Sequence, residues 1–266
     1  MSKKTKKIVN QGIANRTFLE NFIEGKKWSE LINVSDLINA AKGNNNSKTF
    51  SDFLGEKAKN PGCYKWWAKK EDIEKILSLI LYNDEKHKNI FSETDFKQIF
   101  KTNKENFYCI YVGKANHLYD RLRDHAKKAE QSTLRRTICS LSCDPDAPNS
   151  LETINNTIDN WLNNFKVQYF PLSESERIKE KRGNQTFYKL NDAKHELSLL
   201  DLEYFFINED FHILNVEENH FVDYTKKKGI QIGTETVQVI ENIQNALSEK
   251  KQKWPKKKII EIKNKT

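Results

Sequence analysis

No run of about 18 apolar residues occurs anywhere in the chain, so no segment has the length and character of a membrane-spanning helix. The basic N-terminus, MSKKTKKIVN, also lacks the apolar stretch of a signal peptide, and the expectation is a cytoplasmic chain without a membrane partner. Cysteine is scarce. Cys63, Cys109, Cys139 and Cys143 fit reduced, mostly buried thiols. Cys139 and Cys143 share a helical spacing, yet no second Cys/His pair stands near enough in sequence for a structural zinc. Apolar residues are also sparse, at 37% against 31% charged. Disorder is nevertheless excluded, because 15 Phe, 9 Tyr and 5 Trp supply a real core. No internal repeat is found.

What is present is length and positive charge. The 266 residues suffice for one large domain, or for a compact core with additions at both ends. A net charge of +8, from 45 Lys+Arg against 37 Asp+Glu, favours a polyanionic partner, since each phosphate neutralised releases condensed counterions. Charge alone does not separate that reading from a lysine-rich soluble chain.

Apolar periodicity places helices between Phe18 and Ala41, a loop at GNNNS (43–47), and a short helix from about Phe50 to Lys57. After the Asn60-Pro61-Gly62 turn, residues 62–68 (GCYKWWA) have the aromatic content of a strand. Ile73, Ile76, Leu77 and Ile80 mark an amphipathic helix over 70–83, followed by a polar stretch to 106. Residues 107–112 (FYCIYV) read as a buried strand. Helices are then expected from Asn116, taken as the N-cap, to Ala129, from Ser132-Thr133 to Ser142, and from Leu151 to Asn164. A strand follows at 165–170, an exposed charged excursion at 173–189, a long helix at 190–208, and a last helix at 235–249 before a lysine-rich tail (250–258).

On this frame stand Gly62-Cys63-Tyr64, Tyr111-Val112-Gly113-Lys114-Ala115, a helical Arg121 with His125 one turn on, Glu203 in an apolar helix, and Leu214-Asn215. Each piece alone is weak; five in this order are far more specific. The set resembles the GIY-YIG nuclease superfamily over about residues 60–220. The YVGKA stretch with its later Arg is similar to excision-repair nucleases, whereas PGCYKWW and STLRRTI (132–138) are similar to small type II restriction enzymes of the group. Two departures stand out. Cys63 replaces the central Ile of the first tripeptide, and the long gap between the two strands makes residues 69–106 an insertion.

The resemblance implies a mixed α/β (α+β) fold: a small, mainly antiparallel three-stranded sheet (62–68, 107–113, 165–170) flanked by helices, with helical additions over 1–59 and 221–266. It also implies hydrolysis of double-stranded DNA with Mg²⁺ or Mn²⁺ held by Glu203. A single carboxylate that leaves several waters on the ion suits Mg²⁺. Arg121 can fork onto the scissile phosphate. Tyr64 and Tyr111 are base or water-positioning residues, and which one takes the proton stays open. Tyrosine ionises near pH ~10, and neighbouring positive charge would favour the phenolate.

Lys114 follows a strand end and is expected to face phosphate. His117, Arg121 and His125 fall on one helical face, which would let His125 meet the phosphate or protonate a leaving group. Lys65 and Trp66-Trp67 are expected to pack or to flank a DNA channel. Arg135 and Arg136 at a helix start are expected on the DNA backbone. Asn215, grouped with the DNA-contacting residues, is also suited to bracing the backbone near the site. Asp201 and Glu196 are the reserve metal ligands. The function that follows is a restriction-type endonuclease, acting as a homodimer if its target is palindromic. The alternatives are a repair or mobile-element nuclease, a non-catalytic DNA-binding protein on the same fold, and a lysine-rich interaction protein.

Overall fold

The computed structural model describes residues 16–43, 50–81, 99–100, 102–103, 105–147, 150–183, 185–191, 197–209, 211–215, 222 and 233–265. The N-terminal tail, most of the insertion after position 81 and Glu196 lie outside these residues.

The centre is an antiparallel sheet of order β1-β4-β2-β3, built from β1 (Ile32–Asn33), β2 (Gly62–Ala68), β3 (Tyr108–Ala115) and β4 (Lys166–Pro171). The three strands read from sequence are its long members. The two-residue β1, within a stretch expected to be helical, adds a fourth on the edge of β4. Both faces of the sheet are covered, which is why FYCIYV is a continuous apolar run rather than an alternating one. On one face Tyr64, Trp66, Tyr108, Ile110, Tyr111, Val167 and Tyr169 join the main core. On the other, Cys63, Trp67, Cys109, Val112 and Phe170 form a second core with Leu202, Phe205 and Phe206. A bulge between Trp66 and Trp67 shifts the pairing from Tyr111 to Cys109, so Ile110 and Tyr111 both serve the first core.

Helices α1 (Arg16–Ile23), α2 (Val34–Lys42), α3 (Phe50–Leu54) and α4 (Lys70–Leu81) precede β3. Between β3 and β4 lie α5 (Leu118–Lys127), α6 (Thr133–Ser142) and α7 (Leu151–Leu162). Ser132 and Ser150 cap α6 and α7 by accepting from the backbone N–H three residues on. The cap of α5 is His117, not Asn116, whose side chain instead donates to the Thr186 carbonyl at 2.7 Å.

The charged excursion is a paired hairpin, β5 (Arg177–Arg182) with β6 (Gln185–Leu190). Leu190 belongs to that hairpin, and the helix expected from it begins only at Leu199 as α8 (Leu199–Glu209). Helix α9 (Thr234–Gln252) continues into α10 (Lys256–Lys265), so the lysine-rich end is structured. Trp254 and Ile259 anchor it in the main core, and Lys263 pairs with Glu130 at 2.7 Å. Among the described residues no helix is long and apolar enough to cross a membrane.

Candidate active site

Strand pairing sets Tyr64 opposite Gly113 and Trp66 opposite Tyr111. The two motif glycines are there for space. A Cβ on Gly113 would collide with the Tyr64 hydroxyl and ring, so the absence of a side chain at 113 lets Tyr64 lie across β3. A Cβ on Gly62 would collide with the Phe170 carbonyl and come within 2.9 Å of Leu118 Cδ1, which would hold β4 and α5 away from β2. Cys63, between Gly62 and Tyr64, points to the opposite face and is fully buried there, a packing position that needs only a small apolar group.

The Tyr64 hydroxyl is the hub. Arg121 Nε donates to it at 3.2 Å, and His125 Nε2 lies 2.8 Å away. The Tyr111 ring sits 6.3 Å from the Tyr64 ring, and the two hydroxyls are neighbours. Arg121 Nη1 donates to the Gln131 carbonyl at 3.0 Å, which clamps the guanidinium at two points. Its Nη2 has no hydrogen-bond partner among the described residues. His125 is fully buried, with Tyr64, Trp66 and Tyr111 around it in edge-on contact and its Nδ1 2.6 Å from Ser132 Oγ.

These surroundings separate the two tyrosines electrostatically. Burial raises the pKa of Tyr64, and Glu203 adds to this, while the charge and hydrogen bond of Arg121 and the neighbouring Tyr111 hydroxyl oppose it. Tyr111 is raised much further, by burial first and then by the neighbouring Tyr64, with only the Arg121 charge opposing. Tyr64, which has the Arg121 Nε–H on its oxygen, is the less strongly raised of the two. Arg121 is held more firmly protonated, chiefly by the Tyr64 oxygen beside it. His125 is pushed well below its ordinary value by burial, then by the charges of Arg121 and Arg135, and is neutral.

From the other side of the sheet, α8 brings Glu203 to the same strand end. Its Oε1 accepts from the Lys114 backbone N–H at 3.0 Å. Asn215 locks the neighbouring residue: its Oδ1 accepts from Val112 N at 2.7 Å and its Nδ2 donates to Val112 O at 2.8 Å. Residues 62–233, about two thirds of the chain, match the family model of the GIY-YIG catalytic domain. The chain belongs to the GIY-YIG nuclease superfamily. No curated protein and no solved structure matches it.

Within this GIY-YIG domain Tyr64, Tyr111, Arg121 and His125 converge, and Glu203 and Lys114 meet at the end of β3. Other residues named from sequence lie elsewhere. Arg135, expected on DNA, is fully buried, with Nη1 2.7 Å from Asp159 Oδ1 and 3.2 and 3.1 Å from the carbonyls of His125 and Ala126. Its helix-start position suggested a phosphate contact, but the helix turns that face inward. Asn215 is likewise buried and committed to Val112, so it braces β3 and does not contact DNA. Lys65 is one residue from Tyr64 and so on the opposite face, where its ammonium lies 4.8 Å from the ring centres of both Trp28 and Phe206. Trp66 and Trp67 are both core residues. His117 shares the helical spacing of Arg121 and His125 but is the exposed cap of α5, outside the hydroxyl cluster. His125 is behind Tyr64 with both ring nitrogens engaged, by Ser132 Oγ and by the Tyr64 hydroxyl, so it has no nitrogen to offer a phosphate or leaving group in this arrangement. Arg136 remains partly exposed.

The donor set for a cation is small. Among the described residues no three His, Cys, Asp or Glu side chains cluster. Asp201 caps the start of α8, its Oδ2 accepting from Ser198 N at 2.7 Å and Oγ at 2.6 Å. That leaves Glu203, half-buried beside Lys114, as the carboxylate whose charge acts on both tyrosine hydroxyls. A single carboxylate fits a hard cation that keeps most of its waters. Ser132, which touches His125, was missed from sequence: the signal there was only that of a helix cap, and its partner is on the preceding helix.

Proposed function

We propose that the chain is a metal-dependent DNA endonuclease of restriction type, with Tyr64 as its general base. The observation that carries this reading is the Tyr64 hydroxyl held by Arg121 Nε at 3.2 Å, with the Glu203 carboxylate anchored on Lys114 N of the paired strand. Tyr64 as phenolate takes a proton from the water whose oxygen attacks phosphorus, and the bond from phosphorus to the leaving oxygen breaks as that oxygen gains a proton from solvent. Arg121 has Nη2 to offer a non-bridging phosphate oxygen, where charge builds in the transition state. Lys114 and Arg136, partly exposed, add positive charge for the DNA backbone. Glu203 would hold Mg²⁺ or Mn²⁺, which supplies further charge at the phosphate. The similarity of PGCYKWW and STLRRTI to small restriction enzymes supports sequence-specific cutting over repair.

The test is digestion of a large unmethylated DNA with Mg²⁺, with EDTA, and with Tyr64→Phe, Tyr111→Phe and Glu203→Ala beside the wild type. Discrete fragments with Mg²⁺, none with EDTA, and losses of about 10²-fold or more in Tyr64→Phe and Glu203→Ala are expected. Because burial raises Tyr64, its phenolate is a minor species near neutrality. The single-turnover rate should then climb about tenfold per pH unit from about pH 7 towards about pH 9. Full cleavage by Glu203→Ala would overturn the metal assignment, and a flat pH profile would remove Tyr64 as base. Tight binding of DNA that stays intact would make this a binding protein on a nuclease fold.

A further inference from the structure

We propose that Ser132 fixes the tautomer of His125, making its Nε2–H a standing hydrogen-bond donor to the Tyr64 hydroxyl. Ser132 joins α5 to α6 and is fully buried. A hydroxyl has one proton to give and two lone pairs to fill. Ser132 Oγ accepts from Arg135 N at 3.0 Å, which caps α6 but leaves the hydroxyl proton unused. Its other polar neighbour is His125 Nδ1 at 2.6 Å.

A neutral imidazole has one N–H and one bare nitrogen, so only two arrangements exist. If Nδ1 carries the proton and donates to Ser132, the serine proton is left without an acceptor among the described residues, in a position closed to water. The bare Nε2 would then have to take the Tyr64 proton. If Ser132 donates to a bare Nδ1, Nε2–H is left facing Tyr64 at 2.8 Å, and the neutral Tyr64 turns its own proton to the neighbouring Tyr111 hydroxyl. Leaving a buried donor unpaired is costly, and the second arrangement avoids it.

Tyr64 oxygen then receives Nε2–H of His125 and Nε–H of Arg121. These two donors leave the phenolate a third lone pair to accept the proton from water. In this arrangement His125 does not remove the Tyr64 proton; it steadies the oxygen once the proton has gone. Ser132 and His125 are positioning residues that act through Tyr64. The donation itself does not depend on the nuclease reading, while its effect on rate rests on that reading.

The test is ¹⁵N-detected NMR of the histidine rings in the full chain, with His125 assigned by its absence in His125→Gln. A bare Nδ1 and a protonated Nε2 are expected in the wild type and in Ser132→Thr, which keeps the hydroxyl. In Ser132→Ala the two tautomers should mix. A protonated Nδ1 in the wild type, or an unchanged tautomer in Ser132→Ala, would overturn the proposal whether or not the chain cuts DNA. In the cleavage assay Ser132→Ala should lose about 10- to 100-fold in kcat with KM held, the usual effect of removing an outer partner that orients a histidine. Ser132→Thr should recover most of it. His125→Gln, whose amide can donate but cannot serve as a base, should stay more active than His125→Ala; equal inactivity would instead point to proton removal by His125.

Discussion

Gly113 has no side chain because Tyr64 occupies the volume a Cβ would need, and this gives the motif glycine a steric meaning. Gly113→Ala must push the Tyr64 ring away from Arg121 and His125, both now within 3.2 Å of its hydroxyl. A displacement of about 1 Å at a reacting group costs on the order of 10²-fold in rate, so we expect that loss in single-turnover cleavage while DNA affinity holds. Near-normal cleavage by Gly113→Ala would mean that the ring position does not matter to the chemistry. The glycines, tyrosines, Arg121 and Glu203 were all legible in the sequence, because the motif spacing singles them out. Arg135 was misread, because a residue two past a helix cap can face outward or inward with no change in local pattern.

At the scale of elements, α5 carries Arg121 and His125, and it is held from behind by Arg135. That guanidinium binds the carbonyls of His125 and Ala126 near the end of α5, and its charge is met by Asp159 on α7, which Lys42 on α2 also contacts at 2.6 Å. The Arg135–Asp159 contact is short but off the hydrogen-bond axis, since Arg135 Nε and Asp159 Oδ1 are both without a hydrogen bond of good geometry. It is thus an ion pair more than a directed bond. Removing one member of such a pair leaves an uncompensated buried charge, and Asp159→Ala should destabilise the fold by about 3–5 kcal/mol in urea unfolding. A cost under about 1 kcal/mol would show that Arg135 finds water or another acceptor. The partner of Arg135 could not be read from sequence, because Asp159 belongs to a different helix.

For the whole molecule, His125 makes stability depend on pH. Burial holds its folded-state pKa well below the ordinary value near ~6.5, so the unfolded chain binds the proton more readily. The sign follows: this contribution is fully present above about pH 6.5 and is lost as pH falls below it, towards the depressed folded value. The loss approaches ~1.4 kcal/mol per pH unit for one proton. His125→Gln has no such proton to bind, so its unfolding free energy should fall less between about pH 6.5 and about pH 5. Parallel curves for the two proteins would mean that His125 titrates alike in the folded and unfolded chain.

The sequence by itself determined the three long strands of the central sheet, the helices that follow Ser132 and Ser150, and the family, because turn residues, caps and apolar runs act locally and the motif residues keep a fixed order along the chain. It also determined an excess of positive charge. The tertiary structure decided what depends on contacts between distant segments. The β5–β6 hairpin has charged residues that read as a loop until the two strands pair. The lysine-rich end folds because Trp254 and Ile259 find the core. The site itself is of this kind: Tyr64 and Arg121 come from one face of the sheet and Glu203 from the helix on the other, and they meet only where β3 ends. Which lysines and arginines face solvent, and how strongly each tyrosine is raised, were fixed by burial and by neighbouring charge, and neither is a property of a residue's place in the chain.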